Sequence, residues 1–392
     1  MDYSKGTYAV KDRLFTDKLQ AILYANQTLA DIEWSFHKDV FSKINWKVEP
    51  SFSLDDLYEM RAQQIRDKYD YVVVCCSGGA DSTNVLLSFL SNGIHVDEVI
   101  AGAPMSGLNN WEWNDTDTSP GNTISETKFA LFPLLDYVKT HFPRTKITVY
   151  DYFEEMVNYD TDSWLLRSSD IIMPSSARHK YDNITHLKNI AESGKKMGIV
   201  YGIDKPTIVR RGSEIFSCIP DIPINVALQP FEEDYHNVDN VLFYYAAEMP
   251  HLVVKQSHHI MRWFSLPTNK KYMDMLVDIN DPPPTQDRRL RYGTLERIMV
   301  PHIYPDTCRI FFHNVFQTKK VFTVLLSEMD NWFFKLHANT RIAQLILSDT
   351  NSFFKNINAK YFADGDQKTE FLIFSNLWKI GNMEDFIPTP NK

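Results

Sequence analysis

Between residues 71 and 202, short apolar runs rich in β-branched residues alternate with stretches whose apolar positions recur at helical spacing. The runs at 71–76 (YVVVCC), 97–102 (DEVIAG), 146–151 (KITVYD) and 198–202 (GIVYG) predict strands. The intervening stretches at 83–92, about 125–141 and about 184–196 predict helices. Strand and helix in regular alternation imply parallel strands with right-handed crossovers, so the expected fold class is α/β, a doubly wound parallel sheet. In such sheets ligands bind at the carboxyl ends of the strands.

The flanks read differently. Residues 1–68 carry helical periodicity and are expected to form a helical N-terminal extension, with Ser53 capping a helix and Phe52 and Leu57 stapling its first turn. Past about 230 the strand alternation fades, and NVDNVLFYYAAEMPHLVVKQSHHIMRWF (237–264) reads as helices. The proline- and arginine-rich DPPPTQDRRLRYG (281–293) marks a boundary near 280. The expected organisation is therefore an extension over 1–68, a central domain over 69–280, and a helical, aromatic-rich region over 281–392. Two long irregular segments, about 106–122 with Trp111 and Trp113 and about 152–183, interrupt the central domain. Loops of that length are usually functional or mobile.

Composition narrows the partners. With 44% hydrophobic and 23% charged residues the chain is globular in type, and its net charge of -9 disfavours a general nucleic-acid binder. The four cysteines, Cys75, Cys76, Cys218 and Cys308, form neither a C-x-x-C pair nor a zinc spacing. The N-terminal residues lack the apolar core of a signal peptide, and no apolar stretch reaches the length of a membrane span. The expectation is a soluble cytoplasmic protein without membrane association; a homo-oligomer is left open.

Candidate chemistry gathers where the first strand ends, in Ser77-Gly78-Gly79-Ala80-Asp81-Ser82-Thr83, running directly into a helix. A helix start offers outward N–H groups and about half a positive charge to an anion. Adjacent glycines permit positive φ and close backbone approach, while Ser77, Ser82 and Thr83 add hydroxyls. The spelling fits neither a Walker A loop, which needs a lysine, nor a G-x-S-x-G elbow, nor a G-x-G-x-x-G fingerprint. Asp81 beside phosphates requires a reason, either a Mg²⁺ ion or a structural role in the turn.

Ser77, Gly78, Gly79, Asp81 and Ser82 spell S-G-G-x-D-S, and the stretch resembles the PP-loop of the N-type ATP pyrophosphatases, the adenine nucleotide alpha hydrolase-like superfamily. The resemblance spans about residues 69–230 and is specific only in the loop. It implies ATP and Mg²⁺ as cofactors, with the β and γ phosphates on residues 77–83, Asp81 as metal ligand, and cleavage between the α and β phosphates. Asp81 and Lys205 are the implied catalytic residues. Lys205, following the strand at 198–202, resembles the lysine that amide-forming members place near pyrophosphate, although a surface turn is an equally ordinary setting. Ala101 and Gly102, at the end of the second strand, stand where relatives lay backbone against adenine, or where helix and sheet pack tightly. Long loops and unfamiliar extensions resemble divergent members, among them proteins encoded by bacteriophages.

The expected function is an AMP- and pyrophosphate-forming enzyme that adenylates an acceptor oxygen, on a small molecule or a nucleobase, for displacement by a nitrogen or other nucleophile. Two alternatives stay open: a nucleic-acid base-modifying or sulfur-inserting enzyme, for which Arg288, Arg289, Arg291 and Arg297 could supply positive charge, and a non-catalytic ATP-binding sensor.

Overall fold

A computed structural model describes residues 6–103 except 17, residue 105, 127–151, 184–221 except 204, 235–280, 303–305 and 375–386. The strand-like runs of the central region form β4 (Tyr71–Cys75), β5 (Glu98–Ala103), β6 (Lys146–Asp151) and β7 (Met197–Tyr201), and a later strand, β10 (Val238–Leu242), joins them. All pairings are parallel, in the order β10-β7-β4-β5-β6. The chain therefore builds outward from β4 through β5 to β6, then returns to the other side of β4 for β7 and β10. The β4/β7 junction is the topological switch point, the position at which open α/β sheets bind their ligands.

Alternation along β4 explains the layers. Val72 and Val74 face the main core with Val85, Leu86 and Phe89 of α4 (Ala80–Leu90), whereas Val73 and Cys75 face Leu187 and Ala191 of α6 (Thr185–Glu192). Helices thus cover both faces of the sheet, as an all-parallel sheet requires. On the α4 face, α3 (Leu54–Lys68) packs on α4. It starts with a full capping box: Ser53 Oγ accepts from Asp56 N–H at 3.0 Å and Asp56 Oδ2 accepts from Ser53 N–H at 3.0 Å. Leu57 is buried, but the expected staple partner Phe52 is 50% exposed.

The extensions are not wholly helical. Besides α1 (Lys18–Thr28) and α2 (Lys38–Phe41), the N-terminal region forms an antiparallel sheet of β1 (Thr7–Val10), β2 (Arg13–Phe15) and β3 (Glu33–Ser35), ordered β2-β1-β3. Helical spacing around residues 8–36 conceals a period of two: Tyr8 and Val10 are buried, as are Trp34 and Phe36, and a turn with Lys11 at φ 53° separates the first two strands. Residues 238–242, read as helix, are β10, because the ladder with β7 outweighs a weak local preference. The C-terminal region likewise supplies a strand, β11 (Trp378–Asn382), to a second antiparallel sheet with β8 (Thr207–Arg211) and β9 (Glu214–Cys218), in the order β11-β9-β8.

Residues on both sides of position 280 share one core. Ile303, Tyr304, Trp378 and Ile380 are buried in the cluster that holds Val72, Val74 and Phe243, and Trp378 stacks on Trp46 with centroids 4.7 Å apart. Long α7 (His251–Ser265) lies against α3 and β11. Among the described residues no helix is long and apolar enough to cross a membrane.

Candidate functional site

The turn after β4 is built by its own serines. Ser82 Oγ, from the first turn of α4, accepts the Ser77 N–H at 3.2 Å, meets Ser77 Oγ at 3.2 Å and donates to Gly79 C=O at 3.2 Å; Ser77 Oγ accepts the Gly79 N–H at 3.2 Å. The first intrahelical bond runs from Thr83 N–H to Gly79 C=O at 3.0 Å. Gly79 is the N-cap residue and has no side chain to cap the helix, so the amides of the first turn point out of the helix end. Ala80 sits in that turn, partly buried against the core.

Gly78 takes φ 82°, and a Cβ there would lie 2.7 Å from the backbone nitrogen of Leu131 and 2.8 Å from its Cα. Leu131 ends a π-helical turn, Thr127–Leu131, that leads into α5 (Phe132–His141). This glycine is thus required by both its backbone angle and the chain packed on it. Gly202, just past β7, plays the corresponding part on the other side: its Cβ would lie 2.8 Å from Ser82 Cα and 2.9 Å from the Asp81 carbonyl carbon. The close approach of the β7 loop to α4 delivers Lys205.

Lys205 Nζ donates to both oxygens of Asp81, at 2.8 Å to Oδ1 and 2.7 Å to Oδ2. The lysine side chain is 3% exposed and the aspartate 24%. Two charges 124 residues apart in sequence thus meet at the switch point, at the start of a helix. Tyrosines surround them. Tyr304 donates to Asp81 Oδ1, Tyr245 donates to the Lys205 carbonyl, and Tyr244 donates to the Asp81 carbonyl at 2.9 Å while accepting from Asn84 Nδ2 at 2.9 Å. Burial raises the Tyr244 and Tyr304 phenols well above their ordinary value, and the Asp81 charge acts in the same direction, so both stay protonated donors.

The structure therefore brings Ser77, Gly79, Asp81, Ser82 and Lys205 to one place. Thr83 is fully buried, and its hydroxyl has no hydrogen-bond partner among the described residues. Ala101 and Ala103 are buried in the main core, whereas Gly102 is partly exposed and paired opposite Tyr150 of β6. Cys75 and Cys76 are packing residues at the strand end, and burial pushes the Cys218 thiol far up, leaving it a poor nucleophile. Trp111, Trp113, Asp204, Cys308, the spot at Arg178, His179 and Lys180, and the arginines at 288, 289, 291 and 297 lie outside the described residues. The tyrosines at 244, 245 and 304 were missed: the first two stand in a run read as helix, and Tyr304 carries no local motif.

A phosphate chain with its metal is chemically compatible with this donor set. Outward amides and an ammonium suit an anion. One carboxylate suits Mg²⁺ only if phosphates complete the coordination, which is how Mg²⁺ commonly binds nucleotides; among the described residues no group of three or more His, Cys, Asp or Glu side chains gathers as a metal site on its own. No family model, curated protein or solved structure matches this chain.

Proposed function

We propose that the turn after β4 binds the phosphates of ATP with Mg²⁺ and that the protein is an adenylating enzyme. The carrying observation is the meeting of Lys205 with Asp81 at the first turn of α4, on a loop spelled S-G-G-A-D-S at the switch point of a parallel sheet. When bound, Mg·ATP supplies an α-phosphorus for attack by an acceptor oxygen: a new P–O bond forms, the bond to the β-phosphate bridging oxygen breaks, and pyrophosphate leaves.

The chain's own groups fit that task. The first-turn amides of α4 offer fixed donors to the leaving phosphates, so charge developing there meets dipoles already in place, while Ser77 and Ser82 hold the turn in shape. Lys205 neutralises the same charge from the β7 side, and Asp81 is the carboxylate for the cation. Gly202 lets the loop after β7 come close to the first turn of α4, so that both strand ends can address one anion. A persulfide route through Cys218 is disfavoured by the burial and raised pKa of its thiol.

The test is calorimetric titration of the full chain with Mg·ATP, followed by chromatography of the same sample incubated with candidate acceptors. Binding accompanied by AMP and pyrophosphate is the expected result. ADP would refute α–β cleavage, and failure to bind would refute the site.

A further inference from the structure

Tyr304 belongs to the C-terminal side of the chain, 223 residues from Asp81, yet it donates to the carboxylate that the nucleotide reading assigns to the cation. Its placement is well supported. Tyr58 of α3 donates to the neighbouring Ile303 carbonyl at 2.7 Å, and Gln256 Nε2 of α7 donates to Tyr58 Oη at 3.1 Å. The Tyr304 ring lies 6.2 Å from that of Tyr58 and 6.0 Å from that of Tyr244. Ile303 and Tyr304 are 1% and 4% exposed. A hydroxyl so held cannot move without repacking its neighbours.

Its companion on Asp81 is different in kind. Lys205 spans both carboxylate oxygens with a positive charge on a flexible stem, so a divalent cation reaches Asp81 only as the ammonium leaves for the phosphates. The phenol is neutral, does not repel a cation and has no flexible stem on which to leave. An oxygen that donates its second lone pair to a metal can keep the Tyr304 hydrogen bond on the first. Partners of this kind orient a ligating carboxylate, and their loss typically weakens metal binding by 10–100-fold.

We infer that Tyr304 is a positioning residue for the cation site: it holds the Asp81 carboxylate in place while Lys205 exchanges Asp81 for phosphate, and so makes the 303–305 segment part of the nucleotide site. This rests on the Mg·ATP reading above.

The experiment measures the Mg²⁺ concentration that gives half-maximal ATP binding, by calorimetry on the full chain, for wild type and Tyr304→Phe. Phenylalanine keeps the ring between Tyr58 and Tyr244. The midpoint is expected to rise about tenfold or more, with metal-free ATP affinity unchanged and no further rise when Tyr304→Phe is added to Asp81→Asn. Tyr58→Phe, which releases the Ile303 carbonyl, should shift the midpoint in the same direction by less and serves if the first variant folds poorly. Wild type that binds Mg·ATP with a Tyr304→Phe midpoint within twofold of it would overturn the positioning role and leave the nucleotide reading standing. Wild type that binds no Mg·ATP would overturn both.

Discussion

Replacing Lys205 by Met keeps the stem and removes the charge, leaving the Asp81 carboxylate without its ammonium. Breaking a buried ion pair from one side costs about 3–5 kcal/mol because the remaining charge is uncompensated. The two sides are not equivalent here. Asp81 keeps the Tyr304 hydroxyl, is 24% exposed, and sits at the positive end of α4, which favours a carboxylate by about 0.3–1 kcal/mol. Lys205→Met should therefore fall at the low end, about 3 kcal/mol. Asp81→Asn takes the carboxylate from an ammonium that is 3% exposed at that same positive helix end, so its cost should be larger, about 4–5 kcal/mol. The double replacement removes both members of the pair and should lie within about 1 kcal/mol of wild type. Urea unfolding followed by tryptophan fluorescence, with the slope checked for constancy, measures all four proteins. Losses that simply add in the double variant would refute the pairing, and an Asp81→Asn cost smaller than that of Lys205→Met would refute the helix-end argument. Asp81→Asn is consequently not a silent probe of metal binding, and its affinities need to be read beside its stability.

Gly78→Ala forces a side chain into φ 82°, costing about 1–2 kcal/mol, and drives its Cβ against the Leu131 backbone; Mg·ATP affinity should fall at least about tenfold, as calorimetry would register, whereas Gly93→Ala, with φ 72° and open space, should cost only the backbone strain. Burial lowers His258 below its ordinary 6.5 despite its contact with the Trp46 carbonyl and the Glu49 charge. Between its folded value and 6.5 the unfolded chain binds a proton that the fold does not, so stability should decline as pH falls below 6.5. His37, lowered first by burial as well, acts in the same window, so His258→Gln should flatten only part of a slope measured by unfolding at stepped pH. Burial would raise Glu49, but hydrogen bonds and charge from Arg262 and Lys255 outweigh it, so a second loss is expected as pH falls below 4.5. Ser53→Ala removes the reciprocal cap of α3 and should cost about 1 kcal/mol in the same unfolding assay.

The parallel sheet was legible because its signals are local. β4, β5, β6 and β7 each carry a β-branched run between turn residues, and the helices between them have length enough for a crossover, so period and punctuation suffice. β10 was not legible: VDNVL holds only two buried residues, Val241 and Leu242, and its strand character comes from the ladder to β7 some forty residues earlier. The same holds for β11, whose WKIGN finds its partner in Glu214–Cys218 across a stretch that includes the expected boundary at 280. Prolines and arginines at 281–293 identify a place where helix cannot continue; they carry no information about which core later residues join, and Ile303, Tyr304, Trp378 and Ile380 join the same one as Leu276.

The site divides along the same line. The serine lattice of the turn closes within six residues, Ser77 to Ser82, so its spelling and its geometry are one fact. Lys205 required a rule about folds: in a sheet that reverses direction, the ends of the first strands of each half face one crevice, which brings a residue 124 positions away within reach of Asp81. Tyr304 lies beyond both kinds of inference. Nothing at 303–305 announces a partner, and its hydroxyl arrives at Asp81 because Tyr58 and Tyr244, themselves on α3 and after β10, form the slot it fills. A residue placed by three separate elements has no sequence pattern of its own to carry the information. The contact at Asp81 couples the 303–305 segment to the charge pair on which both the stability of the turn and its proposed chemistry rest.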